Sequence, residues 1–96
     1  MIIDAISFKV KRGRERDFER HAAEWSRLMR RCRGYIGQVL MRDADEPSEY
    51  RAEVRWTSRE YRDRFAAREE REAGPLKQAG ADLLDRPPTH TLLEIV

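Results

Sequence analysis

Glu49-Tyr50-Arg51-Ala52-Glu53-Val54-Arg55-Trp56-Thr57-Ser58 sets the fold of the rest of the chain. Tyr50, Ala52, Val54 and Trp56 recur at a period of two, with Arg51, Glu53 and Arg55 between them. Successive side chains of a strand point to opposite faces, so residues 49–56 make a strand with one apolar and one polar face. Such a strand suits an antiparallel sheet covered on one side. Thr57 or Ser58 then caps a helix with its hydroxyl. The cap rests on that hydroxyl alone, because Tyr61 stands where a capping box needs Glu or Gln.

Towards the N-terminus, residues 42–48 form a loop with Asp43, Asp45 and Pro47. Residues 35–41 are a second strand, with Tyr35, Gly37, Val39 and Met41 expected on one face. Gly34 ends a helix predicted over residues 14–33, whose Phe18, Ala22, Trp25, Met29 and Cys32 fall on one stripe. Arg27, Arg30, Arg31 and Arg33 crowd its last turns, where cations suit the helix dipole. Lys11-Arg12-Gly13 is a turn, preceded by a strand over 2–10 that carries Ile2, Asp4, Ile6, Phe8 and Val10 on one face.

Towards the C-terminus, Tyr61, Phe65 and Ala66 give the second helix its apolar stripe, and Gly74-Pro75 breaks it. A short helix over 75–84 is expected to turn Leu76, Ala79, Leu83 and Leu84 inward. Arg86-Pro87-Pro88 is a stop, and 90–96 is the last strand. The order β-α-β-β-α-(α)-β is that of an α+β, ferredoxin-like split βαβ fold. It has a four-stranded antiparallel sheet with its helices on one face.

Ninety-six residues make one domain, 1–96, burying about 65% of the unfolded surface. That size excludes a cleft between domains or a full nucleotide-binding fold. The chain has 20 Lys and Arg against 18 Asp and Glu, a net charge of +2. Charged residues at 40% exclude a membrane protein, and hydrophobic residues at 40% exclude disorder. Seventeen of the basic residues are Arg, and Asn is absent. Cys32 is the only cysteine, so no internal disulfide forms. With no signal sequence or long apolar run, a cytoplasmic protein is expected. No His-x-x-x-His or Cys-x-x-Cys spacing occurs and no metal site is expected.

The first and last strands carry apolar residues on both faces: Ile3 and Ala5 oppose Ile2, Ile6, Phe8 and Val10, and Leu93 and Ile95 oppose Leu92 and Val96. Burial on both sides is then expected, and a homodimer that stacks its sheets would supply the second cover.

Gly13, Phe18, Trp25, Gly34-Tyr35-Ile36-Gly37, Glu49-Tyr50, Arg55-Trp56-Thr57-Ser58, Tyr61, Phe65 and the closing Pro87-Pro88 together carry a resemblance over nearly the whole chain. The pattern resembles the antibiotic biosynthesis monooxygenase (ABM) domain of the dimeric α/β-barrel superfamily. Its most telling pieces are the Gly-aromatic-x-Gly opening of the second strand and the Trp-x-Ser start of the second helix. The resemblance covers several activities. A haem-degrading branch has an Asn on strand one, a Trp in helix two and a later His, and here those positions hold Ile6, Phe65 and Pro75. Haem iron therefore has no matching ligand. A quinone-forming branch, which uses O2 and needs no flavin, metal or other cofactor, lines its pocket with a Trp and a Tyr that match Trp56 and Tyr61. Tyr61 lies one residue nearer the Trp than in that branch, and the branch's hydrogen-bonding Asn has no counterpart.

The resemblance implies a cofactor-independent monooxygenase acting on a small electron-rich aromatic, anthrone-like or hydroquinone-like. Tyr61 would donate a proton or hold a substrate oxygen, and Trp56 would be a flat wall for the ring. His21 could serve as a base near neutral pH. Asp4, on an otherwise apolar strand face, is a candidate buried carboxylate with a raised pKa. Phe65, Trp25 and His90 complete the expected substrate pocket. Each of these residues also has a plain packing or surface role. The alternative function is a non-catalytic dimer that binds a small hydrophobic molecule. Nucleic acid is not an expected partner, because acidic residues interrupt the basic ones and strand three lacks the Lys/Arg-Gly-aromatic signature of RNA readers.

Overall fold

The computed structural model describes residues 1–96. Its elements are β1 (Ile2–Lys9), α1 (Glu15–Met29), β2 (Tyr35–Arg42), β3 (Glu49–Trp56), α2 (Arg59–Glu72), α3 (Gly74–Ala81) and β4 (Thr89–Glu94). The sheet order is β2-β3-β1-β4, and every neighbouring pair is antiparallel. This is the ferredoxin-like arrangement expected, with the three helices over one face. No helix is long and apolar enough to cross a membrane.

β3 sets the inner face as its alternation requires. Tyr50, Ala52, Val54 and Trp56 are buried, and Arg51 and Arg55 are exposed. On β1, Asp4, Ile6 and Phe8 pair with Val54, Ala52 and Tyr50 and share that face. Val10 lies beyond the strand and is fully buried in an isolated bridge to Leu84.

β2 departs from the simple alternation. A bulge between Tyr35 and Gly37 shifts the register, so that Tyr35 pairs with Trp56 and Gln38 with Val54. One extra residue reverses every side chain after it. Tyr35, Gln38 and Leu40 consequently join the inner face, whereas Val39 and Met41 are exposed on the outer one. A single face for Tyr35, Gly37, Val39 and Met41 is thus corrected.

α1 ends at Met29, four residues before the expected boundary. Arg31 and Cys32 donate to Leu28 and Met29, bonds of the tighter i to i−3 type that close the helix. Cys32 sits in the following turn, and its thiol reaches the Leu28 carbonyl at 3.7 Å. Gly34 has φ +88° and lies directly under the Tyr61 ring, so it serves both the backbone turn and the close approach.

Ser58 is the α2 cap, accepting from the Tyr61 N–H at 3.4 Å. α3 begins at Gly74 and ends at Ala81, which exposes Ala79 and buries Gly80. The expected inward Ala79 is corrected: the face of α3 turned inward carries Gly80, packed on the His21 ring, and Leu83 is buried just beyond the helix.

The core has two parts. Val10, Phe18, Tyr50 and Leu83 form one, flanked by Phe8, Leu40 and Leu84. Met29, Val54 and Trp56 form the other, flanked by Ile6, Trp25, Cys32, Tyr35, Tyr61 and Phe65. α2 contributes no fully buried residue. It therefore acts as a wall over the sheet rather than as a packed core helix, and a cavity remains beneath it.

Candidate functional site

The cavity measures about 520 Å³ and lies between the inner face of the sheet and all three helices. Its apolar side is aromatic. Phe65 of α2 stands between two indoles, with ring centroids 6.0 Å from Trp25 at 80° and 5.4 Å from Trp56 at 33°. Trp56, at the end of β3, is almost completely buried and is held from behind by Tyr35 at 5.7 Å. Edge-to-face and tilted pairs of this kind are mutually favourable and fix the wall.

The polar side centres on Asp4, which is 7% exposed. Pairing of Ile6 with both Ala52 and His90 puts His90 of β4 diagonally across from Asp4 on the same face. His90 Nδ1 lies 3.1 Å from Asp4 Oδ1, and Arg62 Nε–H of α2 donates to Asp4 Oδ2 at 3.3 Å. Both carboxylate oxygens are thus engaged. Burial by itself pushes Asp4 up, but the hydrogen bond and charge of His90 and the Arg62 guanidinium outweigh it and hold the carboxyl below the usual range. The expected raised pKa of Asp4 is thereby corrected: a carboxylate with two cationic or donating partners is stabilised in its charged form.

His21 of α1 also lines the cavity. Trp25 Nε1–H donates to its Nε2 at 2.7 Å. Burial lowers the His21 pKa, against a smaller upward pull from Glu24. Its ring packs on Gly80 of α3, where a Cβ would collide with Nε2.

Of the seven residues expected in the site, Asp4, His21, Trp25, Trp56, Phe65 and His90 all line this one cavity. Tyr61 does not. Its ring lies over Gly34 against the Met29–Val54–Trp56 part of the core, with the Arg64 guanidinium 5.4 Å from its centroid.

Five polar lining residues went unread in the sequence: Gln38 of β2, Arg62, Glu69 and Glu70 of α2, and Lys77 of α3. Burial raises the Glu69 pKa, opposed by Lys77, His90 and Arg62 and reinforced by Glu70. For Arg62 and Glu69 the signal was present: Arg62, Phe65, Ala66 and Glu69 fall at i, i+3, i+4 and i+7, one face of a helix. A search for apolar periodicity alone passes over the charged members. No group of three or more His, Cys, Asp or Glu side chains is placed to hold a metal ion.

The family model described as antibiotic biosynthesis monooxygenase matches residues 1–74. No curated protein matches the chain in sequence. Among solved structures, it is similar to SnoaB, a cofactor-independent oxygenase from Streptomyces nogalater. Identity is 23% over 99% of this chain and 92% of that one, with a TM-score of 0.85. A protein from Bordetella bronchiseptica, provisionally named an antibiotic biosynthesis monooxygenase, is 27% identical over 99% and 97% of the two chains, TM-score 0.81. Another of the same provisional name, from Nitrosomonas europaea, is 16% identical over 100% and 99%, TM-score 0.82.

Proposed function

The chain belongs to the antibiotic biosynthesis monooxygenase family, and from that premise we propose that it is a cofactor-independent monooxygenase. Its substrate is a small electron-rich aromatic of the anthrone or hydroquinone kind. One observation carries this: a cavity of about 520 Å³ with a Trp25–Phe65–Trp56 wall on one side and the Asp4–His90–Arg62 cluster on the other. The volume lies within the range of about 300–1,000 Å³ usual for small-molecule sites. The wall offers flat contact to a fused ring, and the cluster faces the oxygen or acidic carbon at its edge.

The chemistry asks little more of the protein. Removing a proton from such a substrate makes an anion rich enough in electrons to reduce O2 directly. Such a reaction needs a base, a polar neighbour for developing charge and an apolar surround, and the two imidazoles, the Asp4–Arg62 pair and the aromatic wall of this cavity fit those needs. The oxygenase named among the structural neighbours uses no cofactor, which supports the same economy here.

The working unit in this proposal is a homodimer. Val39, Met41, Leu93 and Ile95 stay exposed on the outer side of the sheet or just beyond its edge. A second copy would cover them by the same face.

The test is O2 uptake by the purified protein against anthrones and hydroquinones, without added flavin, metal or haem and with autoxidation subtracted. Saturable, protein-dependent uptake is expected, at one O2 per substrate. Saturable binding without uptake would overturn the oxygenase in favour of a dimeric binding protein.

A further inference from the structure

Two imidazoles line the cavity, and their hydrogen bonds give them different capacities. The Nε2 lone pair of His21 is already taken by the Trp25 indole N–H. An indole N–H only donates, so His21 can accept a proton there only by breaking that bond. His90 is arranged the other way. Asp4 is held in its ionised form and can only accept, so His90 Nδ1 carries the hydrogen and donates it to Asp4 Oδ1. The lone pair of a neutral His90 then sits on Nε2. No protein group bonds to that nitrogen, and 45% of the side chain is exposed.

We propose that His90 is the base that removes the substrate proton, with Asp4 as the positioning residue that fixes its tautomer and Arg62 holding Asp4 in place. This rests on the oxygenase function proposed above and assigns its proton-transfer step. The charged groups that share this end of the cavity are Asp4 from β1, Arg62, Glu69 and Glu70 from α2, and Lys77 from α3. Asp4 alone is hydrogen-bonded to the ring, and its negative charge steadies the imidazolium that forms.

The steps balance. Nε2 takes a proton from an acidic C–H of the substrate, leaving a carbanion. The carbanion gives two electrons to O2 as a C–O bond forms, and the imidazolium returns the proton to the distal oxygen, giving a hydroperoxide. Nε2 then takes the second C–H proton. The C=O bond forms as the O–O bond breaks, and the departing hydroxide recovers that proton as water. The sum is CH2 plus O2 to C=O plus H2O, with no outside oxidant or reductant.

Proton removal can be read without O2. Anthrone in D2O under anaerobic conditions exchanges its acidic C–H hydrogens when a base acts on them, and mass spectrometry counts the label. Wild-type protein should accelerate exchange above the buffer rate. His90→Gln should lose at least about a hundredfold of that acceleration, in keeping with the usual worth of a positioned base. Anthrone binding, read by thermal shift, should change less than about threefold, because proton transfer to His90 is an interaction made only in the transition state. Added imidazole should restore exchange to His90→Ala in proportion to its concentration. Asp4→Asn should lower the exchange rate at saturating anthrone with binding kept, and should mix the His90 tautomers seen by nitrogen NMR. Exchange that persists in a folded His90→Gln protein, or no exchange by wild type, overturns the dyad. Exchange by wild type without O2 uptake keeps the dyad and overturns the oxygenase.

Discussion

Trp25 donates its indole N–H to Nε2 of His21, one turn earlier on α1, at 2.7 Å. The bond requires a neutral imidazole, and burial lowers the His21 pKa from its ordinary value of 6.5. The unfolded chain therefore binds a proton in a pH range where the folded one does not. Stability from this group is fully present above about pH 6.5 and is lost as pH falls towards the folded value. Thermal melts from about pH 8 to about pH 5 should show that loss. His21→Gln, whose side-chain oxygen can accept from Trp25 at any pH, should lack this part of it.

Gly80 carries the other side of the same contact. In an exposed helix interior, Gly to Ala stabilises by roughly 0.5–1 kcal/mol. Here the added Cβ would collide with the His21 ring, which is tied to Trp25. Overpacking costs about 1–3 kcal/mol, so the sign should reverse and Gly80→Ala should melt lower than wild type. The double variant with His21→Ala should recover the helix gain, since the obstacle is gone. Additive losses in that cycle would mean that Gly80 and His21 act independently.

How much of this was legible from residues alone follows from the range of each signal. β3 and the cap at Ser58 are local, and they stood as expected in 49–56 and 57–58. The bulge at Tyr35/Gly37 is set by pairing with β3, so alternation within β2 could not reveal it. Cys32 fits the α1 stripe by spacing, yet the chain has already tightened into a turn there, just ahead of the Gly34 bend that lies under the Tyr61 ring, a contact 27 residues away in sequence. The site divides in the same way. Trp56, Phe65 and Trp25 announce themselves as aromatics on stripes. Asp4 stood out as an acid on an apolar face, but its partners are 58 and 86 residues away, and without them the direction of its pKa shift came out reversed.

Tyr61 gives a direct check on the boundary of the cavity. Its ring covers Gly34 and does not line the site. Tyr61→Phe should leave O2 uptake within about twofold, because losing an interaction the reaction does not use leaves kcat/KM unchanged. Gly34→Ala should be costly instead. It forces a side chain into φ +88°, worth about 1–2 kcal/mol, and drives the Cβ into the Tyr61 ring. Urea melts of the two variants should therefore rank Gly34→Ala well below Tyr61→Phe.

Glu69 predicts a pH dependence of opposite sense to that of His21. Burial raises its folded pKa above the ordinary 4.5, with Lys77, His90 and Arg62 only partly offsetting it. Its protonated form fits the folded state better. That contribution is fully present below about pH 4.5 and is lost as pH rises through the folded value. Glu69→Gln keeps the shape without the charge. It should match wild type near pH 4 and melt higher at about pH 8. A variant no more stable at about pH 8 would mean that Lys77 and Arg62 fully compensate the ionised carboxylate.

The outer face of the sheet supplies the last expectation. Val39 is 47% exposed on β2 and Leu93 is 42% exposed on β4, on opposite edges of the sheet. Between them β3 turns Arg51, Glu53 and Arg55 the same way, with Arg51 and Glu53 paired at 3.5 Å. If two copies pack by this face, a two-fold axis repeats every residue, so one new charge enters the interface twice. Val39→Asp and Leu93→Asp should each shift the protein from two chains to one in sedimentation equilibrium. Neither touches the inner face, where Gln38 and Leu40 line the cavity from β2. Loss of O2 uptake on dissociation would show that the dimer shapes the site. Uptake kept by a monomer would show that one chain holds a complete one, and wild type sedimenting as a single chain would remove the face-to-face dimer altogether.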